Sequence, residues 1–200
     1  MYGEFAYEVV MEKIVNPFYH HGFIKREEAE AQFNRLWNEL DWVQMGSTPR
    51  REYWSNKYDL PYTYGSGEFA RTYLAQPWDD FIKATMEQIN KELSIEMDCC
   101  FVNGYEHQRQ HLGWHADDSP EMNPAQPVVI ISLGAEREIW FRRKDDHKNI
   151  HKVVLTHGSM FVMPAGMQQT HDHRIPKAGH VVGPRVSLTY RSLIPENVAA

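Results

Sequence analysis

Between Cys99 and Leu193 the chain is cut into six short β-prone runs by turn signals, and this spacing constrains its fold more than any other feature. The runs are Cys99 to Tyr105, Val128 to Leu133, Glu138 to Arg143, His151 to Leu155, Ser159 to Met163 and Arg185 to Leu193. Turns such as Leu133-Gly134-Ala135 and Thr156-His157-Gly158-Ser159 separate them. Many short strands with glycine turns predict a sandwich or a closed barrel. Ahead of them, Ala29, Phe33, Leu36, Trp37 and Leu40 recur at helical spacing from Lys25 to Leu40. The acids Glu27, Glu28 and Glu30 fall in the first turn, where the helix dipole favours them. A second helix is predicted from about Trp78 to Leu93, with Ile82, Met86, Ile89 and Leu93 on one face. Between the helices, Pro49 to Gly67 reads as loops and short hairpin strands, and Tyr53, Trp54, Tyr58, Tyr62 and Tyr64 suit a lid over a pocket. The expected fold is α+β and mainly β: a double-stranded β-helix, or jelly roll, with N-terminal supporting helices.

The 200 residues fit one domain, with 1–97 supplying helices and a lid and 98–194 the jelly-roll core. Met1 to Val10 carries acids instead of a basic start, and apolar runs such as Val128 to Ser132 are short, so neither a signal peptide nor a membrane span is expected. Cys99 and Cys100 are adjacent and poorly placed to pair, which predicts two buried thiols in a reducing compartment. The implied setting is the cytoplasm, or the nucleus in a eukaryote, with a monomer as the default state. A net charge of -6 does not advertise affinity for a polyanion, although Pro49-Arg50-Arg51 and Arg142-Arg143-Lys144 are local basic strips.

Chemistry concentrates after residue 114. His115-Ala116-Asp117 is a His-x-Asp triplet, and side chains two apart on a strand share one face, so one imidazole and one carboxylate can reach a single metal ion. His171 and His173 offer a third ligand. Two histidines and a carboxylate make the facial set of non-haem ferrous oxygenases, and zinc hydrolysis uses a similar set. Arg185, Ser187, Thr189 and Arg191 alternate along the last strand and face one way. Turned inward, these arginines require anions, such as a bound dicarboxylate and Asp117; turned outward, they form a solvated face. His107 and His111 lie in a β-type stretch unsuited to a helical zinc pair, while His20, His21, His147, His151, His157 and His180 read as surface or turn residues. Met160, Met163 and Met167 read as core filling, and Phe101, Trp114, Trp140 and Phe141 as core.

The ordered set Asn103-Gly104-Tyr105, His115-Ala116-Asp117, His173 and Arg185 with Arg191 resembles the AlkB family of Fe(II)- and 2-oxoglutarate-dependent dioxygenases. Local wording also resembles the family's duplex-repairing, animal-type branch, notably Pro49-Arg50-Arg51, Tyr62-Thr63-Tyr64, Ser132-Leu133-Gly134-Ala135 and Pro184-Arg185-Val186. The likeness runs from about Pro49 to Ile194. It implies His115, Asp117 and His173 as catalytic iron ligands, with His173 chosen because His173-Arg174-Ile175-Pro176 fits the family's pattern, and His171 as a neighbour of the site. It further implies that Asn103, Tyr105, Arg185, Ser187, Thr189 and Arg191 hold 2-oxoglutarate, and that Tyr62, Tyr64, Arg50 and Asp118 meet substrate.

The implied function is oxidative demethylation of alkylated bases such as 1-methyladenine and 3-methylcytosine, a direct reversal of damage to DNA more than to RNA. Dioxygen and 2-oxoglutarate are consumed, and succinate, carbon dioxide and formaldehyde are released. Two departures stand out. Ser187 occupies a position usually held by Asn in the family, and Ser119 one where relatives often carry an acid to meet a cationic base, with Asp118 or Glu121 as substitutes. Trp42 to Pro49 is short for a long wedging hairpin, which favours single strands over duplex. The alternatives are a dioxygenase of the same fold hydroxylating a protein, RNA or small molecule, and a non-catalytic jelly-roll binding module.

Overall fold

In the computed structural model, residues 17–46, 48–65, 67–194 and 196 are described. The first sixteen residues, including the acidic amino-terminal stretch, lie outside them. Twelve strands and three helices follow in the order β1 (Phe18–His20), α1 (Arg26–Glu39), β2 (Arg51–Asn56), β3 (Tyr62–Tyr64), β4 (Arg71–Tyr73), α2 (Asp80–Leu93), β5 (Cys99–Tyr105), β6 (Leu112–His115), β7 (Val128–Gly134), β8 (Arg137–Arg143), β9 (Asp146–Leu155), β10 (Ser159–Met163), α3 (Met167–Thr170), β11 (His171–Ile175) and β12 (Arg185–Arg191). A major sheet has the order β1-β10-β7-β12-β5-β2, a minor sheet β6-β11-β8-β9, and β3 pairs with β4. Every pairing is antiparallel. Two antiparallel sheets facing one another make the predicted double-stranded β-helix.

Both predicted helices form. Asp79 caps α2, its carboxylate accepting from the N–H groups of Phe81 at 3.0 Å and Ile82 at 3.2 Å. The same carboxylate takes both ends of Arg35 on α1, at 2.6 and 2.9 Å, and so ties the two helices together. Ala29 and Leu36 of α1 and Phe81, Ile82, Met86, Ile89 and Leu93 of α2 pack on Val129, Ile131, Leu133, Val186, Leu188 and Tyr190 of the major sheet. Gly134, at the end of β7, has φ +83°, and a Cβ there would stand 2.5 Å from the Pro184 carbonyl and 2.6 Å from the Phe33 ring. The turn therefore requires glycine both for its backbone and for the approach of α1.

The front half supplies more than helices and a lid. Strands β1 and β2 belong to the major sheet, so a jelly-roll core beginning at residue 98 is corrected by this pairing. Tyr53 and Trp54 lie on β2 and are buried structural residues of the sheet, while Tyr58 is exposed. Of the expected lid aromatics, Tyr62 and Tyr64 sit on the β3–β4 hairpin, and Tyr62 and its cross-strand partner Tyr73 join Trp54, Phe101, Met122 and Leu193 in a separate apolar cluster. Cys99 and Cys100 are buried and free.

Among the described residues, no helix covers the outer face of the minor sheet. Trp114 of β6, Arg174 of β11, Trp140 of β8 and Lys152 of β9 instead form a row across all four strands. Arg174 lies 4.7 Å from the Trp114 ring and 4.3 Å from that of Trp140, and Lys152 lies 4.2 Å from Trp140. Arg142 covers Trp114 at 4.2 Å. Trp114 and Trp140 are thus half-buried partners of cations, not the core residues the sequence suggested, and their rings are shielded by alkyl stems and guanidinium planes. Phe101 is core, and Phe141 packs half-buried against the inner cluster.

Candidate active site

Strand β6 ends at His115, which lies directly opposite His173 of β11. Paired residues on adjacent strands share a face, and the two imidazole centroids stand 4.1 Å apart. Asp117 follows β6 by two residues and turns its carboxylate between them, Oδ1 standing 4.0 Å from His115 Nε2 and Oδ2 3.7 Å from His173 Nε2. One donor atom from each residue lies within 4.8 Å of the others, a spacing suited to one metal ion. His115 Nδ1 lies 2.9 Å from the Gly113 carbonyl, which fixes the tautomer with the Nε2 lone pair turned inward.

Electrostatics prepare the same three groups. Burial lowers the His173 pKa to about 3, helped by neighbouring His115, and burial also lowers that of His115. Both rings are therefore neutral ligands. Burial alone would raise Asp117, but Arg191, His173 and His115 outweigh it and keep the carboxylate ionised. Arg191 Nη2 donates to Asp117 Oδ1 at 2.7 Å, whereas Asp117 Oδ2 is buried with no partner. An orphaned carboxylate oxygen facing two neutral imidazole nitrogens fits a divalent cation.

Strand β12 resolves the orientation of the arginines. Val186, Leu188 and Tyr190 face the helices, and Arg185, Ser187, Thr189 and Arg191 face the interior, all buried. Arg185 is 0% exposed, which excludes the solvated-face alternative. Its Nε donates to Ser132 Oγ at 2.9 Å and its Nη2 to Ser187 Oγ at 3.1 Å, while Nη1 has no partner. Burial lowers its pKa to about 10, although the nearby Tyr105 pulls the other way. The guanidinium remains cationic at neutral pH, and its neighbours satisfy it with hydroxyls alone. Tyr105 lies opposite Arg185 across β5 and β12, and Asn103 opposite Ser187. A buried fork with a free donor beside a tyrosine and an asparagine fits the far carboxylate of a keto diacid.

The positions assigned to substrate separate. Tyr64 stands edge-on to His115 with 6.2 Å between ring centroids, and Tyr62 is buried behind it, its phenol pushed up to about 12 by burial. Asp118 lies at the rim, paired with Lys144 at 2.7 Å. Arg50 does not reach the surface: its Nε donates to Asn103 Oδ1 at 2.6 Å and its Nη2 pairs with Glu52 at 2.6 Å, all buried. That placement corrects the expectation that Arg50 meets substrate phosphate or base. Arg51 stacks on Trp37 instead, 4.6 Å from its ring. His171 opens β11 beside Thr170 and outside the three-residue cluster. His157 has an internal role, its Nδ1 accepting from Gly134 N–H at 2.8 Å.

Three residues escaped the sequence reading. Ser132, which holds Arg185, was signalled by a lone hydroxyl in the aliphatic run Val128 to Leu133. Gln168 Oε1 accepts from Asp117 N–H at 3.0 Å, and Arg71 covers the Tyr64 ring at 5.3 Å; neither had a sequence signal. A cleft of about 260 Å³ opens beside Asp117, lined by Ser119, Met122, Asn123, Gln168 and Arg191 among others.

Residues 18–191 match the 2OG-Fe(II) oxygenase superfamily. The chain is 27% identical over 192 residues to an alpha-ketoglutarate-dependent dioxygenase alkB homolog 3 from Bos taurus, covering 88% of this chain and 65% of that protein. It is 28% identical over 188 residues to the DNA oxidative demethylase ALKBH2 of Mus musculus, covering 85% of this chain and 77% of that protein. The chain thus spans just under two thirds of the length of the first of these relatives. Among solved structures it is similar to OsALKBH1, with a TM-score of 0.59, 18% identity and coverage of 88% of this chain and 96% of that one. It is also similar to a prolyl hydroxylase from Trichoplax adhaerens in complex with a hypoxia inducible factor peptide fragment, with a TM-score of 0.64, 10% identity and coverage of 98% and 94%. Both structural likenesses speak to the fold alone.

Proposed function

This chain belongs to the 2OG-Fe(II) oxygenase superfamily, and from that premise we propose that it removes alkyl groups oxidatively from nucleic-acid bases, DNA before RNA. One observation carries the choice of substrate. The Tyr64 ring stands 6.2 Å from the ring of His115, so an aromatic side chain borders the metal-binding residues. A base withdrawn from its stack needs such a side chain beside it. The similarity to proteins named as DNA oxidative demethylases supports the same reading.

His115, Asp117 and His173 would hold iron through one donor atom each. Arg185, steadied by Ser132 and Ser187, would bind the far carboxylate of 2-oxoglutarate, with Asn103, Tyr105 and Thr189 beside it. Arg191 keeps Asp117 ionised and oriented through Oδ1, which leaves Oδ2 for the metal. Iron with 2-oxoglutarate and dioxygen supplies a two-electron oxidation of a carbon–hydrogen bond, at the expense of decarboxylating the keto acid to succinate. An N-methyl group hydroxylated in this way collapses to formaldehyde and the unmodified base. Tyr62 and Tyr64 would orient the base, and the neutral imidazoles keep the site free of protons that would compete for the ligand atoms.

The test is incubation with iron, 2-oxoglutarate, oxygen and methylated single-stranded and duplex oligonucleotides, following formaldehyde, succinate and oligonucleotide mass. Loss of methyl that disappears in Asp117→Ala is expected. Metal and 2-oxoglutarate binding without demethylation of any oligonucleotide would refute the proposal.

A further inference from the structure

We propose that the base pocket selects neutral N-alkylated bases over cationic ones. The inference rests on the demethylase reading above and specifies its substrate class. Tyr64 already has a cation on its ring, the guanidinium of Arg71 lying 5.3 Å from its centroid. Arg71 donates to Thr48 Oγ1 at 2.8 Å, its Nε is buried with no partner, and among the described residues it makes no ion pair. An aromatic ring that already faces one cation has less attraction left for a second, and the two positive charges repel across it.

All but one of the acids around the pocket are paired with other groups. The charged groups acting on the Tyr64 phenol are Arg50, Asp117, Arg191 and Arg71, and those acting on His115 are Asp117, Arg191 and Arg50. Guanidinium groups outnumber the carboxylate in both sets, and that carboxylate is paired with Arg191 at 2.7 Å. Asp118 is held by Lys144 at 2.7 Å, and Glu52 is buried against Arg50 at 2.6 Å and Tyr73. Ser119, beside the Tyr62 phenol, contributes a buried hydroxyl, which adds hydrogen-bonding capacity without adding charge. Glu121 is the exception. Its Oε2 is buried without a partner, and its backbone carbonyl accepts from Ile194 N–H at 2.7 Å, which ties it to the chain beyond β12.

A matched pair separates charge from shape. 3-Methylthymine and 3-methylcytosine carry the same N3 methyl group on a pyrimidine, but the first is neutral and the second cationic at neutral pH. Each is placed in an otherwise identical single-stranded oligonucleotide. Affinity is read by fluorescence anisotropy, and kcat/KM by formaldehyde release in the iron- and 2-oxoglutarate-loaded enzyme. The expected result is a preference for 3-methylthymine in both, narrowed by about tenfold in Arg71→Gln. Ser119→Glu should move the ratio the same way, and it keeps the question answerable if Arg71→Gln does not fold. Tighter binding of 3-methylcytosine by the unaltered protein would overturn the inference, and loss of that preference in Glu121→Gln would name Glu121 as the reason. An unchanged ratio in both Arg71→Gln and Ser119→Glu would overturn it as well. Absence of demethylation with both oligonucleotides would instead strike the demethylase reading, while the binding ratio would still decide charge selection.

Discussion

Replacing Arg185 by methionine should leave the ligand-free protein about as stable as before while abolishing its response to 2-oxoglutarate. The side chain is fully buried, burial lowers its pKa to about 10 from an ordinary 12.5, and among the described residues its partners are hydroxyls, those of Ser132 and Ser187 with Tyr105 beside them, and no carboxylate. That displacement corresponds to roughly 3 kcal/mol of lost preference for the charged form, a cost that folding bears until an anion arrives. Methionine removes the cost and fills similar volume. It leaves Ser132 and Ser187 without their donor, at about 1 kcal/mol each. The balance is near zero or slightly favourable, and a 1 kcal/mol change moves Tm by roughly 2–4 °C in a domain of this size. In the unaltered protein the proposed carboxylate would complete the fork, and saturating ligand at 100 times Kd should add about 2.7 kcal/mol. Thermal unfolding followed by circular dichroism, with and without 2-oxoglutarate and Mn(II), reads both effects. Loss of more than about 3 kcal/mol in the ligand-free variant, the usual cost of breaking a buried compensated pair, would show that Arg185 is already neutralised internally. A full 2-oxoglutarate response in the variant would place the carboxylate elsewhere.

Asp117→Ala should behave in the opposite way, losing about 3–5 kcal/mol because Arg191 is left buried and unpaired, with much of the loss restored in the Asp117→Ala/Arg191→Met double variant; urea titration checks it. Asp79→Ala should cost about 1–2 kcal/mol by removing the α2 cap and the Arg35 fork. Burial pushes the Asp79 pKa up, but the Arg35 fork and the N–H groups of Ile82 and Phe81 outweigh it and hold it below the usual carboxylate range. The contribution is therefore complete above the unfolded pKa and lost as pH falls through the folded one, so the variant's stability should decline less steeply below about pH 4. Gly134→Ala should cost about 2–4 kcal/mol, from a left-handed backbone and a Cβ placed 2.5 Å from the Pro184 carbonyl, measured by urea denaturation.

The sequence announced the last strand most clearly. Arg185, Ser187, Thr189 and Arg191 alternate with Val186, Leu188 and Tyr190, and both sets are buried because the strand lies between helices and metal site. Strands β6 and β11 gave no such signal. Their inner faces carry ligands and their outer faces carry Trp114, Arg174 and Asp172, so no apolar alternation survives where function occupies one side and cation–aromatic contacts the other. The same cause misplaced Trp114 and Trp140, since aromatic rings in a strand ordinarily mark an apolar interior. Strand β2 was read as part of a lid because Tyr53 and Trp54 lie within a stretch rich in proline, glycine and tyrosine, yet it pairs with β5. Arg50 looked like a phosphate contact because a charged doublet near a proline resembles a surface turn; its pairing with Glu52 and Asn103 depends on strands far apart in sequence.

The row of cations and rings across the minor sheet also guards against misfolding. Trp114 precedes His115 and Arg174 follows His173, so ladder and ligands occupy neighbouring positions on opposite faces of the same two strands. Strand β6 is only four residues long, and its pairing with β11 contains an irregularity between His173 and Ile175, conditions under which a strand can slip. A slip by one residue would turn an indole toward the metal-binding cavity and leave an imidazole outside, breaking the row and the ligand set together. A mispaired chain would thereby lose contacts on both faces at once, those of the outer row without any metal being needed.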